Sequence, residues 1–192
     1  MFARTVAPGI EIRLFDPTEA EVIFEEVERG RPYLRQWLPW VDFTRSAEDI
    51  REFIARVRAQ YDANQGPQCG LWIEGVFSGA VGCHPINWHN RNCSIGYWIA
   101  ERNQGKGIIT QCCSTMLDYL FDEMRLHRVE IECGTGNLRS CAIPERLGFV
   151  REGITRDGEW LNDRWTDLVV WSMLEDDWRG RRGGISPAPT IY

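Results

Sequence analysis

The residues best placed to do chemistry are Arg102-Asn103-Gln104-Gly105-Lys106-Gly107, which stand between a strand-like segment and an amphipathic helical one. A helix N-terminus presents unpaired N–H groups and a partial positive charge. Glycines there let the backbone turn tightly and approach a ligand, so a pyrophosphate could sit on this loop. Two familiar phosphate loops can be tested against it. A P-loop would place glycine where Ala100 stands and Ser or Thr where Gly107 stands. A dinucleotide fingerprint starting at Gly105 would need a small residue where Thr110 stands, and no parallel βαβ pattern precedes it. What remains is Arg-x-x-Gly-x-Gly, either a plain strand-to-helix turn or a cradle for a different pyrophosphate.

The surrounding elements can be read from periodicity and punctuation. Residues 10–15 alternate apolar and polar, as a half-buried strand does. Pro17 and Thr18 open an acidic helix over about 19–28, expected to stop near Gly30 with Pro32 beyond it. Tyr33, Leu34, Trp37, Leu38 and Trp40 follow, dense enough to form a buried elbow or the wall of a binding site. Ser46 and Asp49 read as a capping box for a helix whose stripe is Phe53, Ile54, Val57 and Tyr61. Strands are expected at about 69–74, 79–85 and 93–99, an antiparallel meander. The apolar residues of 108–124 fall in two adjacent rows at a spacing of four, one broad buried helix face. A short strand at 129–133, a helix at 137–147 ended by Gly148, a strand from Phe149 and a last strand at 164–174 complete a mixed α/β sheet. Residues 1–178 are expected to form one domain, and the Gly-, Pro- and Arg-rich 179–192 a disordered tail.

Composition narrows the function. The chain has 192 residues, enough for one domain with a proper core. A formal net charge of −6 argues against non-specific nucleic-acid binding, which needs clustered Lys and Arg. It suits a cationic acceptor such as an amine, or is simply a solvated acidic surface. Seven cysteines with no C-x-x-C, two of them adjacent (Cys112 and Cys113), read as reduced, cytoplasmic usage rather than a disulfide framework. No apolar run is long enough to span a bilayer, so no membrane partner is expected. No metal site is expected either.

Four ordered segments then carry a resemblance: IGYWIAERNQGKGIITQ, LHRVEIEC, GNLRSCAIPERLGF and REGITRDGEWLNDRWTDLVVWSML. Together with the upstream YLRQWLPWVDFT they resemble the RimJ/RimL-type branch of the GNAT N-acetyltransferases. One departure is Pro144, inside the expected helix, which blurs where Asn137 and Ser140 point.

The resemblance implies a GNAT fold, with two central strands splayed around the pantetheine of acetyl-coenzyme A. Here those strands are 93–99 and 129–133. Trp98, Ile99, Arg102, Gln104, Gly105, Lys106, Gly107, Ile108, Asn137 and Ser140 are the implied cofactor-binding residues. A backbone N–H near Ile99 is the implied oxyanion donor. Ser140 is either the acid that protonates the departing thiolate or a hydrogen-bonding partner of pantetheine. Cys133, at the strand's end, is a covalent acceptor of acetyl or a small buried core residue. Glu159 resembles the acidic residue opposite the acceptor and is the candidate base; otherwise it is a solvated turn residue. His84 and His89 compete for that role, whereas His127 reads as structural. Trp37, Trp40 and Trp160 are expected to wall the acceptor site or to pack the core. The implied acceptor is a protein N-terminal α-amine of the ribosomal-protein kind. A small-molecule amine is the alternative, and a coenzyme A-binding module without catalysis is a third reading. Members of the branch are often homodimers, and the same is expected here.

Overall fold

The computed structural model describes residues 2–182. They form one eight-stranded sheet with helices on both faces. In chain order the elements are β1 (Ala3–Ala7), β2 (Ile10–Leu14), α1 (Ala20–Leu34), α2 (Ala47–Asp62), β3 (Gln68–Ile73), β4 (Val76–Cys83) and β5 (Asn92–Ile99). Then come α3 (Ile108–Asp118), β6 (Arg128–Gly134), α4 (Leu138–Leu147), β7 (Val150–Leu161), β8 (Arg164–Leu174) and α5 (Glu175–Arg182). The spatial order is β1-β2-β3-β4-β5-β6-β8-β7. Every neighbouring pair is antiparallel except β5 and β6, which run parallel.

Helix starts follow local chemistry. The Ser46–Asp49 capping box is present, with both reciprocal bonds made. A second box at Asp16 and Glu19 opens a short 3₁₀ turn that leads into α1. Gly148 closes α4 in the left-handed conformation at φ 79°.

Four expectations needed correction. α1 does not stop near Gly30; it runs through Gly30 and Pro32 to Leu34, whose side chain is buried. Arg31 on that last turn donates to the carbonyls of Val41 and Thr44, so tertiary bonds hold the elbow where propensity alone would end the helix. The α-helix begun at Ile108 ends at Asp118 and passes into a π-helical turn over Tyr119–Glu123, with Met124 N–H bonded to the Tyr119 carbonyl. β1, absent from the sequence reading, is an edge strand with little buried surface to give it a pattern. The expected tail begins inside α5, so residues 179–182 are helical, and the rest of it lies outside the described residues.

The two sheet faces carry separate cores. On one, α3 packs on β1, β4 and β5, burying Cys112, Cys113, Met116 and Leu117 against Ile95, Val129, Ile131 and Cys133. On the other, α1 and α2 cover β3 and β4, burying Ile23, Ile50 and Ile54 against Phe15, Trp72 and Phe77. Alternation along β5 therefore sends Tyr97 and Ile99 to the α3 face and Trp98 to the α1–α2 face.

Candidate active site

β5 and β6 separate. They pair only over Asn92–Ser94 and Arg128–Glu130. Beyond Ser94, β5 remains bonded to β4 alone, and beyond Glu130, β6 remains bonded to β8 alone. The strand edges that face each other across the gap keep backbone groups free to bind an extended ligand, as in strand addition. A cavity of about 960 Å³ fills this wedge. It is lined by Tyr97, Trp98 and Ile99 of β5, by the 103–107 loop and the first turn of α3, and by Asn137, Ser140 and Ile143 of α4. Trp37 and Leu38 from the α1 elbow form its remaining wall.

The loop at its mouth has the geometry of an anion cradle. Gly105 and Gly107 both take positive φ, 72° and 74°. A Cβ on Gly105 would meet nothing within 4 Å, so the backbone there is open to a ligand. Gly107 is the N-cap of α3, and no side chain caps that end. The first-turn N–H groups therefore point into the cavity mouth with the helix dipole behind them. Arg139 and Arg146 of α4 also line the cavity. Arg139 donates to Gln104 Oε1 at 2.7 Å and Arg146 to Thr110 Oγ1 at 3.2 Å, so two cations flank the cradle. Sequence reasoning missed both.

Of the ten expected cofactor residues, Arg102 alone is absent from the cavity lining. Its guanidinium turns away, pairing with Glu26 on α1 and donating to the Phe77 carbonyl at 3.3 Å. Glu26 is 5% exposed, and Arg29 is its other partner. Burying that carboxylate requires paired cations, and Arg102 is one of them. The arginine of the Arg-x-x-Gly-x-Gly pattern is thus a strut between loop and α1. Lys106 lines the cavity, with its amine 3.3 Å from Asn103 Oδ1.

Deeper in, Asn137 caps α4, its Oδ1 accepting from Ser140 N–H at 3.1 Å. The Ser140 hydroxyl lies 3.2 Å from Cys133 Sγ and 3.3 Å from the Tyr97 hydroxyl. Burial pushes the Cys133 thiol up to about 11 and the Tyr97 phenol well above its ordinary range, so both stay protonated at neutral pH. A neutral Cys133 thiol is a poor nucleophile. Tyr97 was not among the expected site residues, because an aromatic on a central strand reads as core.

Glu159 does not line this cavity, yet it stands on the far side of the same sheet. It is paired with Thr166 of β8, Val170 two steps of alternation along is paired with Glu132, and Glu130 is paired with Ser94. Paired residues share a face, so Glu159 lies with Glu132, Ser94 and Trp98, opposite Tyr97 and Cys133. Half-buried, its carboxyl is raised above the ordinary range by desolvation and then by the Glu132 carboxylate. Trp37 lines the cavity as expected, 3.7 Å from where a Gly136 methyl would sit. Trp40 does not line the cavity; its ring packs tilted against that of Trp98, at 6.0 Å between ring centres. Trp160 is not at the cavity; it is 51% exposed and packs edge-on against Trp165 near the tip of the β7–β8 hairpin. His84 is bonded to Ser94 at 2.7 Å, His127 is an exposed residue at the start of β6, and none of the three histidines lines the cavity.

The comparisons with known proteins agree with this geometry. Residues 10–150 match the model of the acetyltransferase (GNAT) domain. The YdaF protein of Bacillus subtilis strain 168, provisionally named a ribosomal N-acetyltransferase, is 39% identical over 183 residues, 95% of this chain and 100% of that protein. The ribosomal-protein-serine acetyltransferase of Escherichia coli K12 is 25% identical over 89% of this chain and 96% of its own length. The solved structure of RimL, a ribosomal L7/L12 alpha-N-protein acetyltransferase in complex with coenzyme A, superposes with a TM-score of 0.87 at 22% identity, covering 90% of this chain and 98% of that one. A splayed parallel pair, a glycine cradle at a helix start and a family match over most of the chain lead to one conclusion: the chain belongs to the GNAT acetyltransferases and is an N-acetyltransferase that uses acetyl-coenzyme A.

Proposed function

We propose that the chain acetylates the N-terminal α-amine of a protein, of the ribosomal-protein kind, by direct attack of the amine on acetyl-coenzyme A. The observation that carries this is the two-faced splay, with Ser140 on the α3 side and Glu159 on the opposite face. The loop amides of residues 104–108 hold the pyrophosphate, and the edges of β5 and β6 hold the pantetheine amides. The acceptor approaches from the Glu159 face, past Trp37 and Trp98. Glu159, directly or through one water, takes a proton from the ammonium. The freed nitrogen bonds to the acetyl carbon, the carbon–sulfur bond breaks, and Ser140 gives its proton to the departing thiolate. The nitrogen's second proton, passed through water, restores the serine hydroxyl as the amide forms. The protein acceptor is favoured by the names of YdaF and of the E. coli serine acetyltransferase.

The test is turnover of acetyl-coenzyme A with peptides copying ribosomal-protein N-termini against a panel of amino acids, polyamines and amine antibiotics. We expect the peptides to be preferred and to gain acetyl at the α-amine by mass spectrometry. Preference for a small amine would replace the protein acceptor, and no turnover at all would leave a coenzyme A-binding module. The same reading has the enzyme working in the cytoplasm as a homodimer, without nucleic acid or membrane. The net charge of −6, the free cysteines and the exposed Trp160 and Trp165 support it. Light scattering at micromolar concentration should give a dimer mass.

A further inference from the structure

α4 contains a proline, and its position has a consequence. In an α-helix each carbonyl accepts from the N–H four residues on. Four residues on from Ser140 stands Pro144, which has no N–H. The Ser140 carbonyl is therefore deprived of its helical partner inside the helix, and a buried orphan acceptor is costly. The Tyr97 hydroxyl fills the place, donating to Ser140 O at 3.2 Å. The phenol has one hydrogen, and the carbonyl takes it. Its oxygen is left to accept, and the Ser140 hydroxyl donates to it at 3.3 Å, while the protonated Cys133 thiol, 3.2 Å away, can donate to the serine oxygen. The Ser140 N–H is held in turn by Asn137 Oδ1. Tyr97 stands on β5 beyond Ser94, where that strand has already left β6. The bond thus ties β5 to α4 across the splayed edge.

We propose that Tyr97 is a positioning residue for Ser140. Pro144 leaves the Ser140 carbonyl without its helical donor, and the Tyr97 phenol captures it and so fixes where the Ser140 hydroxyl stands, from which its one hydrogen turns from the phenol oxygen to the departing thiolate. This rests on the reading that Ser140 acts at the cofactor's sulfur. Pro144 is then the residue that commits the turn to a bond from another element. The phenol ties β5 to α4, and the hydroxyl held between them is pre-positioned.

The pair can be taken apart with conservative variants. Tyr97→Phe keeps the ring and removes the donor. Pro144→Ala restores an N–H that can bond the Ser140 carbonyl within the helix. Steady-state kcat and the KM for acetyl-coenzyme A are measured for wild type, Tyr97→Phe, Pro144→Ala, the double variant and Ser140→Ala, with melting temperatures alongside. Tyr97→Phe should lower kcat about three- to tenfold, the range of one lost hydrogen bond, with the KM moving by about twofold or less. In the Pro144→Ala background the same substitution should lower kcat by only about twofold or less, because the carbonyl has its helical partner back. An equal kcat loss in both backgrounds would assign Tyr97 a packing role and overturn the latch alone. Wild-type kcat in Tyr97→Phe, with Ser140→Ala impaired, would overturn it as well. Wild-type kinetics in Ser140→Ala would remove the role of Ser140 first and the latch with it.

Discussion

Glu159 is held above the ordinary carboxylate range by its half-burial and by Glu132 across the sheet face. A base with a raised value is protonated and idle at low pH, and activity should climb as pH rises through that value. Glu159→Gln keeps the size and loses the proton acceptor. Turnover should fall about a hundredfold, the ordinary worth of general-base catalysis, while affinity for acetyl-coenzyme A stays near wild type. Stability should move the other way. A carboxyl whose folded value is raised favours the fold where it is protonated and loses that advantage as pH rises through the folded value. At neutral pH the glutamine removes a penalty, so the melting temperature should hold or rise. A pH–rate profile and a thermal melt on one variant check both signs, and near-normal turnover would pass deprotonation to water or to His84. At this scale Asn137 and Ser140 were legible through the resemblance, and Glu159 was legible as a candidate. Tyr97 was not, because its meaning depends on a proline 47 positions later in the sequence and on a strand gap that no local pattern records.

The strut from loop to helix is an element-scale fact. Arg102 pairs with the nearly fully buried Glu26 of α1, and the same α1 supplies the Leu34–Trp37 elbow that walls the cavity. The 102–107 loop and the Leu34–Trp37 elbow, both at the cavity, are therefore braced against each other before any ligand arrives. Arg102→Ala should lower stability by about 1–3 kcal/mol in the absence of cofactor, because Glu26 keeps only Arg29. An arginine serving only as a phosphate ligand would leave the unliganded melting temperature unchanged, so a melt without cofactor discriminates. Arg102 illustrates why a loop pattern does not fix where each of its side chains points. The residue belongs to the loop's sequence signature, but its direction is set by a carboxylate 76 positions earlier. Periodicity located α2 and α3 because each buries a regular face, and Gly148 marked the end of α4. It failed on α1 beyond Gly30, where Arg31 carries the helix by bonds to Val41 and Thr44, and on the edge strand β1, which buries too little to leave a pattern.

At the scale of the whole molecule, the cavity is bounded by parts drawn from α1, β5, the 103–107 loop, α3 and α4, so a ligand filling it joins segments that only the native chain brings together. A ligand that binds the folded state alone stabilises it by an amount set by its concentration over Kd, about 2.7 kcal/mol at a hundredfold excess. For a chain of this size each kcal/mol is worth about 2–4 °C, so saturating acetyl-coenzyme A should raise the melting temperature by roughly 5–10 °C. Gly105→Val provides the control. The space beside Gly105 is open, so the added side chain meets no protein atom within 4 Å at its Cβ, but φ of 72° is strained for a branched residue and the isopropyl group would stand in the cradle. The variant should fold with a lowered melting temperature and lose most of the acetyl-coenzyme A shift. A shift kept at wild-type size in Gly105→Val would move the pyrophosphate off this loop, towards Arg139 and Arg146 on α4. No shift in the wild type at saturating acetyl-coenzyme A would remove the cavity between β5 and β6 as the cofactor site altogether.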